Sequence, residues 1–502
     1  MNFSQVQQAQ PPGPPVAHPL FWLLLLAVTH VAVRVAISPA LKWDEAEQML
    51  WSQQLALGYG AQPPLYTWMQ WAVNAVLGPN VLALSVLKHA ALALTYVLMW
   101  LAGRELLGPR GAWWASASML LLPPLGWDSV RDQTHTILVT AMTCAAWWLL
   151  IRLVKRPRPL DFAFLGLVCG LGMLSKYSFA LVVGAMALAA LTVPEARRAL
   201  LSPGWWWAPA VGLLVVAPHA TWLLTHLQEA TSGTLHKMQI QQGMAWSKGL
   251  LNLTAGLAGM ILLWVLVAMW AFRSAWWQRP VKPAAPWAMS VFKRYFALVL
   301  LALLGMVLVG GVTNFRGRWL LPLLCAAPLM AFVARPELQE HPRARRYTGA
   351  VAAIAVILLI AAGARLWFGI IRGNADELNQ PVIELAAALQ EAGYDGKSRI
   401  VAADHMLAGT LRTRFPAAPT QACSAEEGDD VPVCVAQAAQ RARQSGQGFL
   451  LVSTDSRLEP HWWSRAQSQL PPIAVLGIEL PLHQLTKLPP AHYQFAWQPA
   501  AK

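Results

Sequence analysis

Charge is scarce in this sequence. Only 12% of its 502 residues are Asp, Glu, Lys or Arg, about half of what an ordinary soluble domain carries, and that rules out such a domain along with a disordered chain. Cysteine is scarce too, with five in the whole chain, so a disulfide scaffold is excluded. The glycine repeat of collagen is absent, as are a Walker loop, a dinucleotide fingerprint after a strand and a His-Glu metallopeptidase helix. Soluble nucleotide cofactors are therefore not expected. Acidic residues number 24 against 38 basic ones, a net charge of +14. The cations recur as small clusters between apolar runs rather than as one patch, which excludes a nucleic-acid partner and instead marks loops at a membrane surface.

What is abundant is apolar sequence, 56% of the chain. Runs of about 18 residues are long enough to cross the hydrocarbon layer, and about eleven spans are expected. They fall at 19–37, 81–101, 112–126, 136–154, 161–175, 177–193, 204–225, 249–272, 295–312, 319–334 and 348–368. The pair around Lys176 reads equally as one re-entrant hairpin. Alternate connections hold Arg104 and Arg110, then Arg152 to Arg158, Arg197 and Arg198, Arg273 to Arg294, and Arg335 to Arg346. By the positive-inside rule these face the cytoplasm, which puts the other loops and the C-terminus outside. Residues 1–18 read as a disordered cytoplasmic tail. From 371 to 502 the sequence turns to mixed polar and apolar segments such as SRIVAADHMLAGTLRTRF and GQGFLLVSTDSR, expected to form a small α/β domain outside the membrane. Cys423 and Cys434 lie in it, and their spacing alone does not decide whether they pair.

Ionisable groups at membrane depth are costly and tend to face a site. The first outer loop, 38–80, contains WDEAEQMLWSQQLALGYGAQPPLYTW. Residues 43–57 read as an amphipathic helix lying in the membrane interface, Gly58 and Gly60 break it, and Pro63-Pro64 start a second helix at Leu65. Asp44 and Glu45 stand at the entrance, where capping of the helix and catalysis are both open. The second outer loop adds Asp128, Arg131, Asp132 and His135. Lys176 interrupts an apolar stretch, Lys88 and His89 interrupt the second span, and Arg316 and Arg318 stand at an outer boundary against the charge trend. Cations held outside in this way suit an anionic ligand such as a lipid phosphate. His226, His236, Lys237 and Lys248 occupy another outer loop without metal-ligand spacing. Carboxylates that activate a hydroxyl, beside cations that stabilise a departing phosphate, are what sugar transfer from a lipid phosphate requires.

The first-loop stretch resembles that of glycosyltransferase family 39, the family of bacterial protein O-mannosyltransferases and lipid A aminoarabinose transferases. GLGMLSKYSFAL and FRGRWLLPLL match later segments of the family in order and spacing. The resemblance covers about 19–370 and implies an all-α polytopic GT-C fold, joined here to the C-terminal α/β domain. It further implies an inverting enzyme of the bacterial inner membrane, with its active site and C-terminal domain periplasmic, that moves a sugar from a polyprenyl-phosphate donor to an envelope lipid or glycan. On this chain Asp44 is then the catalytic carboxylate, with Glu45 beside it and Asp132 as a second acid. Lys176, Arg316 and Arg318, with Arg131 and Lys88, would bind the donor phosphate. Tyr59, Gln62, Pro63, Pro64, Tyr177 and His135 would line the substrate cavity. Ala61 and Gln62 stand where aminoarabinose transferases usually carry an acidic and a basic residue, which counts against a metal at that position and against aminoarabinose as the sugar; a divalent metal stays open as the one candidate cofactor. A protein acceptor and a lipid-linked glycan transporter are the alternative readings.

Overall fold

The computed structural model describes residues 19–500 apart from 229, 232–237, 239–245, 277 and 279–281. The expected tail 1–18, and His236, Lys237 and Arg279, lie outside the described residues. After α1 (Pro19–Ile37) the chain makes α2 (Trp43–Trp51) and α3 (Leu65–Leu77) from the first loop, then the long α4 (Val81–Leu106) and α5 (Pro109–Ala117). A 3-10 turn at Ser118–Leu121, a π turn at Pro124–Asp128 and the short α6 (Ser129–Arg131) follow. Next come α7 (His135–Lys155), α8 (Pro159–Ser175), α9 (Phe179–Leu191), α10 (Pro194–Leu200), α11 (Trp207–Thr225) and α12 (Trp246–Phe272). The helical region ends with α13 (Pro286–Leu308), α14 (Gly317–Leu324), α15 (Ala327–Ala334) and α16 (Ala344–Ala364).

Eight described helices are long and apolar enough to cross a membrane: α1, α4, α7, α11, α12, α13, α14 joined to α15, and α16 extended to Arg372. The other three expected spans take different forms. Helix α8 has only 17 residues, and α9 meets α10 at 112° where Pro194 restarts the chain. Residues 112–126 are broken at Pro123-Pro124, since proline removes an amide donor and clashes with the preceding turn. Helix α7 is the central one, buried along most of its length. Close helix contact rests on small residues, as is usual where lipid supplies no hydrophobic drive. At Gly166 of α8 a Cβ would lie 2.3 Å from the Ala208 carbonyl oxygen of α11.

The C-terminal region contains α17 (Val382–Glu391), β1 (Arg399–Ala402), α18 (His405–Arg414), β2 (Thr420–Ala422), α19 (Val431–Gln444), β3 (Phe449–Thr454), β4 (Leu476–Leu480) and β5 (Ala491–Gln498). The sheet order is β2-β1-β3-β5-β4, with β1, β2 and β3 parallel and β4 and β5 antiparallel additions. Alternating strand and helix over 399–454 gives the parallel part, because a parallel pair needs a crossover connection. Cys423 and Cys434 are disulfide-bonded, joining the end of β2 to α19.

This region is latched onto the first loop. Ser38 Oγ donates to the Leu378 carbonyl (2.6 Å), and Lys42 pairs with Asp376 (3.3 Å) and Glu377. The Gln53 side-chain amide donates to the Thr420 carbonyl (2.7 Å) and accepts from its N–H (3.0 Å), closing the free edge of β2. The expected interfacial helix over 43–57 is corrected on two points. It ends at Trp51, and its apolar residues Ala46, Met49 and Leu50 are buried against α4 and the C-terminal region rather than in lipid.

Gly409 of α18 lies on the backbone of α2, where an added Cβ would sit 2.4 Å from the Ala46 carbonyl oxygen. Gly409→Val should therefore cost about 1–3 kcal/mol through overpacking, read as a lower apparent Tm of the purified protein in detergent. Gly477→Ala in β4, where the added carbon meets nothing within 4 Å, should leave Tm unchanged.

Candidate active site

Helix α2 places two acids side by side in its first turn and sends them to different environments. Glu45 is buried, with 1% of its side chain exposed. One of its oxygens meets Arg34 Nη2 at 2.6 Å, the other meets Lys88 Nζ at 2.8 Å, and it accepts the Lys42 N–H at 3.1 Å. Burial alone would raise its pKa, but the charges of Arg34 and Lys88 outweigh it and hold the carboxyl well below the usual range. Two expectations are corrected here. Glu45 is saturated by its partners and touches no open space, and Lys88, 1% exposed, is spent on Glu45 rather than available to a phosphate.

Asp44 faces the other way, with 17% of its side chain exposed. Its Oδ1 lies 3.6 Å from Arg318 Nη1, and its N–H donates to Asp132 Oδ1 at 3.2 Å. Burial pushes the Asp44 carboxyl up to about 6, with the like charge of Asp132 adding to the shift and Arg318, Lys176 and Lys88 opposing it. A carboxylate poised near neutral pH is suited to general-base work. Lys176 donates to Thr136 Oγ1 at 2.9 Å. Arg316 is exposed, its guanidinium 5.8 Å from the centre of the Trp319 ring, and among the described residues no carboxylate pairs with it. Thus Asp132 and Arg318 contact Asp44, and Lys176 and Arg316, far from it in sequence, lie within electrostatic reach of it.

The remaining expected residues divide. The Tyr59 hydroxyl donates to the Gln54 carbonyl and accepts the Ala56 N–H, so this side chain staples the loop, and Pro63 and Pro64 are buried beside it. Gln62 is half-buried and exchanges backbone hydrogen bonds with Tyr59. Tyr177 is half-buried, with its hydroxyl 3.1 Å from His219 Nε2. His135 packs beneath α2, its Nε2 3.1 Å from Gln48 Nε2, while Gln48 accepts from Thr67 (3.0 Å). Arg131 pairs at 3.8 Å with Asp128, whose carboxyl also feels the charges of Arg318 and Asp132, and it lines a cleft with Arg34 and Arg365.

Sequence reasoning passed over Gln48, Thr136 and His219. Gln48 stands four residues after Asp44, one helical turn on, and that spacing is a usable signal. His219 is placed by the Leu57 carbonyl, 2.6 Å from its Nδ1, and carries no local sequence signal. Among the described residues no three His, Cys, Asp or Glu side chains converge as a metal cage. Among the described residues the acids here are Asp44 and Asp132, with Arg318 beside Asp44 and Asp128 within electrostatic reach of Asp132.

A family model described as dolichyl-phosphate-mannose-protein mannosyltransferase matches residues 61–222. The lipopolysaccharide core galacturonosyltransferase RgtA of Rhizobium johnstonii is 32% identical over 407 residues, covering 79% of this chain and 81% of that protein. RgtB of the same organism, also named a lipopolysaccharide core galacturonosyltransferase, is 30% identical over 400 residues, covering 78% and 80%. The fold matches that of ArnT from Cupriavidus metallidurans bound to undecaprenyl phosphate, with a TM-score of 0.62 over 95% of this chain and 97% of that one at 10% identity.

Removing one member of a buried ion group strands the others. Glu45→Gln leaves Arg34 and Lys88 without a counter-charge and should cost about 3–5 kcal/mol. The expected readout is poor recovery and a lowered Tm, in contrast to Asp44→Asn, which should fold and melt like the wild type.

Proposed function

Because the chain belongs to glycosyltransferase family 39, and is an integral-membrane glycosyltransferase of the GT-C fold, we propose that it transfers a hexuronic acid from a polyprenyl-phosphate donor to a lipopolysaccharide acceptor. The observation that carries this reading is Asp44, partly open and raised in pKa, between Asp132 and the cations Arg318 and Lys176. In this scheme Asp44 takes the proton of an acceptor hydroxyl as the oxygen attacks the anomeric carbon. The bond from that carbon to the phosphate oxygen breaks, and its electron pair leaves with the phosphate. Lys176 and Arg318 stabilise the charge that builds up there. A phosphate leaving group is a weak base and needs no general acid, in keeping with a site rich in cations. Single displacement inverts the anomeric centre.

The uronic acid is supported by two observations. Relatives matching four-fifths of their length are named galacturonosyltransferases. Arg316, without a carboxylate partner among the described residues, suits the sugar's carboxylate. The disulfide at Cys423–Cys434 is of the kind that persists in oxidising compartments. Together with the distribution of loop cations, it supports a periplasmic position for the C-terminal region and for the site beneath it. The transporter alternative needs polar residues leading through the spans, whereas Arg34 and Lys88 are both held by Glu45.

Mass spectra of envelope glycolipids from cells expressing wild type and Asp44→Asn at matched levels test the reading. A hexuronic-acid increment is expected only with wild type, and identical spectra would defeat the assignment. In vitro, Asp44→Asn should lower kcat by about 10²–10⁴-fold. The base must be ionised, so kcat/KM of the wild type should hold above pH of about 6 and fall as pH drops through that value. A flat profile across that range would show that Asp44 is not the base.

A further inference from the structure

A narrow cleft runs along α1, bounded by α4, by α16 with its extension, and by the irregular segment 120–131, and none of Asp44, Asp132, Lys176 or Arg318 lines it. Its upper part is walled by Arg34, Arg131, Arg365 and Trp127. Leu23, Ala27, Leu92, Tyr96 and Leu125 wall the lower part. The two parts adjoin, with His30 and Val130 lining both. From His30 to Leu23 the apolar wall extends about 10 Å along the helix.

Two imidazoles mark the junction. His30 and His89 stack with ring centres 5.5 Å apart, and both are buried, at 6% and 2% exposure. Among the described residues His30 Nδ1 and His89 Nε2 have no hydrogen-bond partner, although the other ring nitrogen of His89 is held by the Ser85 carbonyl at 2.8 Å. Buried polar atoms are nearly always satisfied, and an apolar cleft with no occupant would be better lined here by leucine. Above them the guanidiniums differ in availability. Arg34 is consumed by Glu45 and by the Ser38 and Ala40 carbonyls. Arg365 commits Nη2 to Asp376, and Arg131, 45% exposed, has Asp128 at 3.8 Å.

We propose that this cleft is a second lipid-phosphate site, separate from the catalytic centre. Its phosphate sits at Arg131 and Arg365, its next polar atoms meet His30 and His89, and one hydrocarbon chain lies along α1. The two parts are narrow, with free volumes of about 20 and 30 Å³, so a single chain enters only as α1 and the segment 120–131 move apart. Two lipids share this chemistry, a polyprenyl phosphate such as the spent carrier and a glycerophospholipid of the bilayer. The irregular segment connects the two sites, because Leu125, Trp127 and Arg131 line the cleft while Asp132 of the same stretch holds the Asp44 N–H. The proposal does not rest on which sugar or acceptor the enzyme uses.

Native mass spectrometry of the full chain in detergent tests it, with undecaprenyl phosphate, phosphatidylglycerol and unphosphorylated polyprenol titrated separately. Wild type should bind two lipid phosphates. The pair Lys176→Ala with Arg318→Ala should lose one, and the pair Arg131→Gln with His30→Leu should lose the other by about tenfold or more in affinity. Ala27→Phe, which fills the cleft without touching a charge, should act like the second pair. Loss confined to undecaprenyl phosphate assigns the cleft to the carrier, and loss of phosphatidylglycerol assigns it to bilayer lipid. Undiminished binding in both cleft variants, or equal binding of polyprenol, overturns the proposal. Because the Lys176 and Arg318 pair is scored separately, failure of the donor reading and failure of the cleft are told apart.

Discussion

The ion group of Arg34, Glu45 and Lys88 is the constraint on which the site depends. It ties together the end of α1, the start of α2 and the outer part of α4, and Glu45 also reaches back to the Lys42 N–H at the helix entrance. Successive residues on a helix point about 100° apart, so locking Glu45 inward turns Asp44 toward Arg318 and Asp132. One acid is fully neutralised so that its neighbour can be incompletely so. The two carboxyls consequently move in opposite directions, Glu45 downward through its cations and Asp44 upward through burial and Asp132.

The second support comes from outside the membrane region. Helix α2 is short and ends at Trp51, and a helix of its length is marginal in isolation. Its apolar side is covered by α4 and by α18, whose Gly409 allows contact of backbone with backbone. Gln53 continues this hold by acting as an extra strand residue against Thr420. The C-terminal sheet therefore acts as the roof that keeps α2 in register, and the Cys423–Cys434 disulfide fixes the edge strand it grips.

Irregular backbone recurs where chemistry is placed. The π turn at Pro124–Asp128 and the short α6 deliver Asp132 to α2, and the break after Ser175 sets Lys176 between α8 and α9. Such backbone is tolerated at membrane depth only where protein or a cavity surrounds it.

Composition and apolar runs by themselves determined that the chain lives in a membrane, since no soluble core can absorb so much apolar surface. Local order determined where Asp44 and Glu45, Pro63-Pro64 and the cation at Lys176 fall relative to helix ends, and the shift to mixed polarity after 370 marked the sheet region. The different surroundings of the two adjacent acids were decided only by packing. Local spacing and composition do not distinguish Asp44 from Glu45, and only the resemblance did, because the physical difference lies in which of them meets Arg34 and Lys88, 11 and 43 residues away. The same holds for the burial of the apolar side of α2 under α18 and for the number of continuous spans, which long-range contacts and proline breaks decide rather than hydropathy.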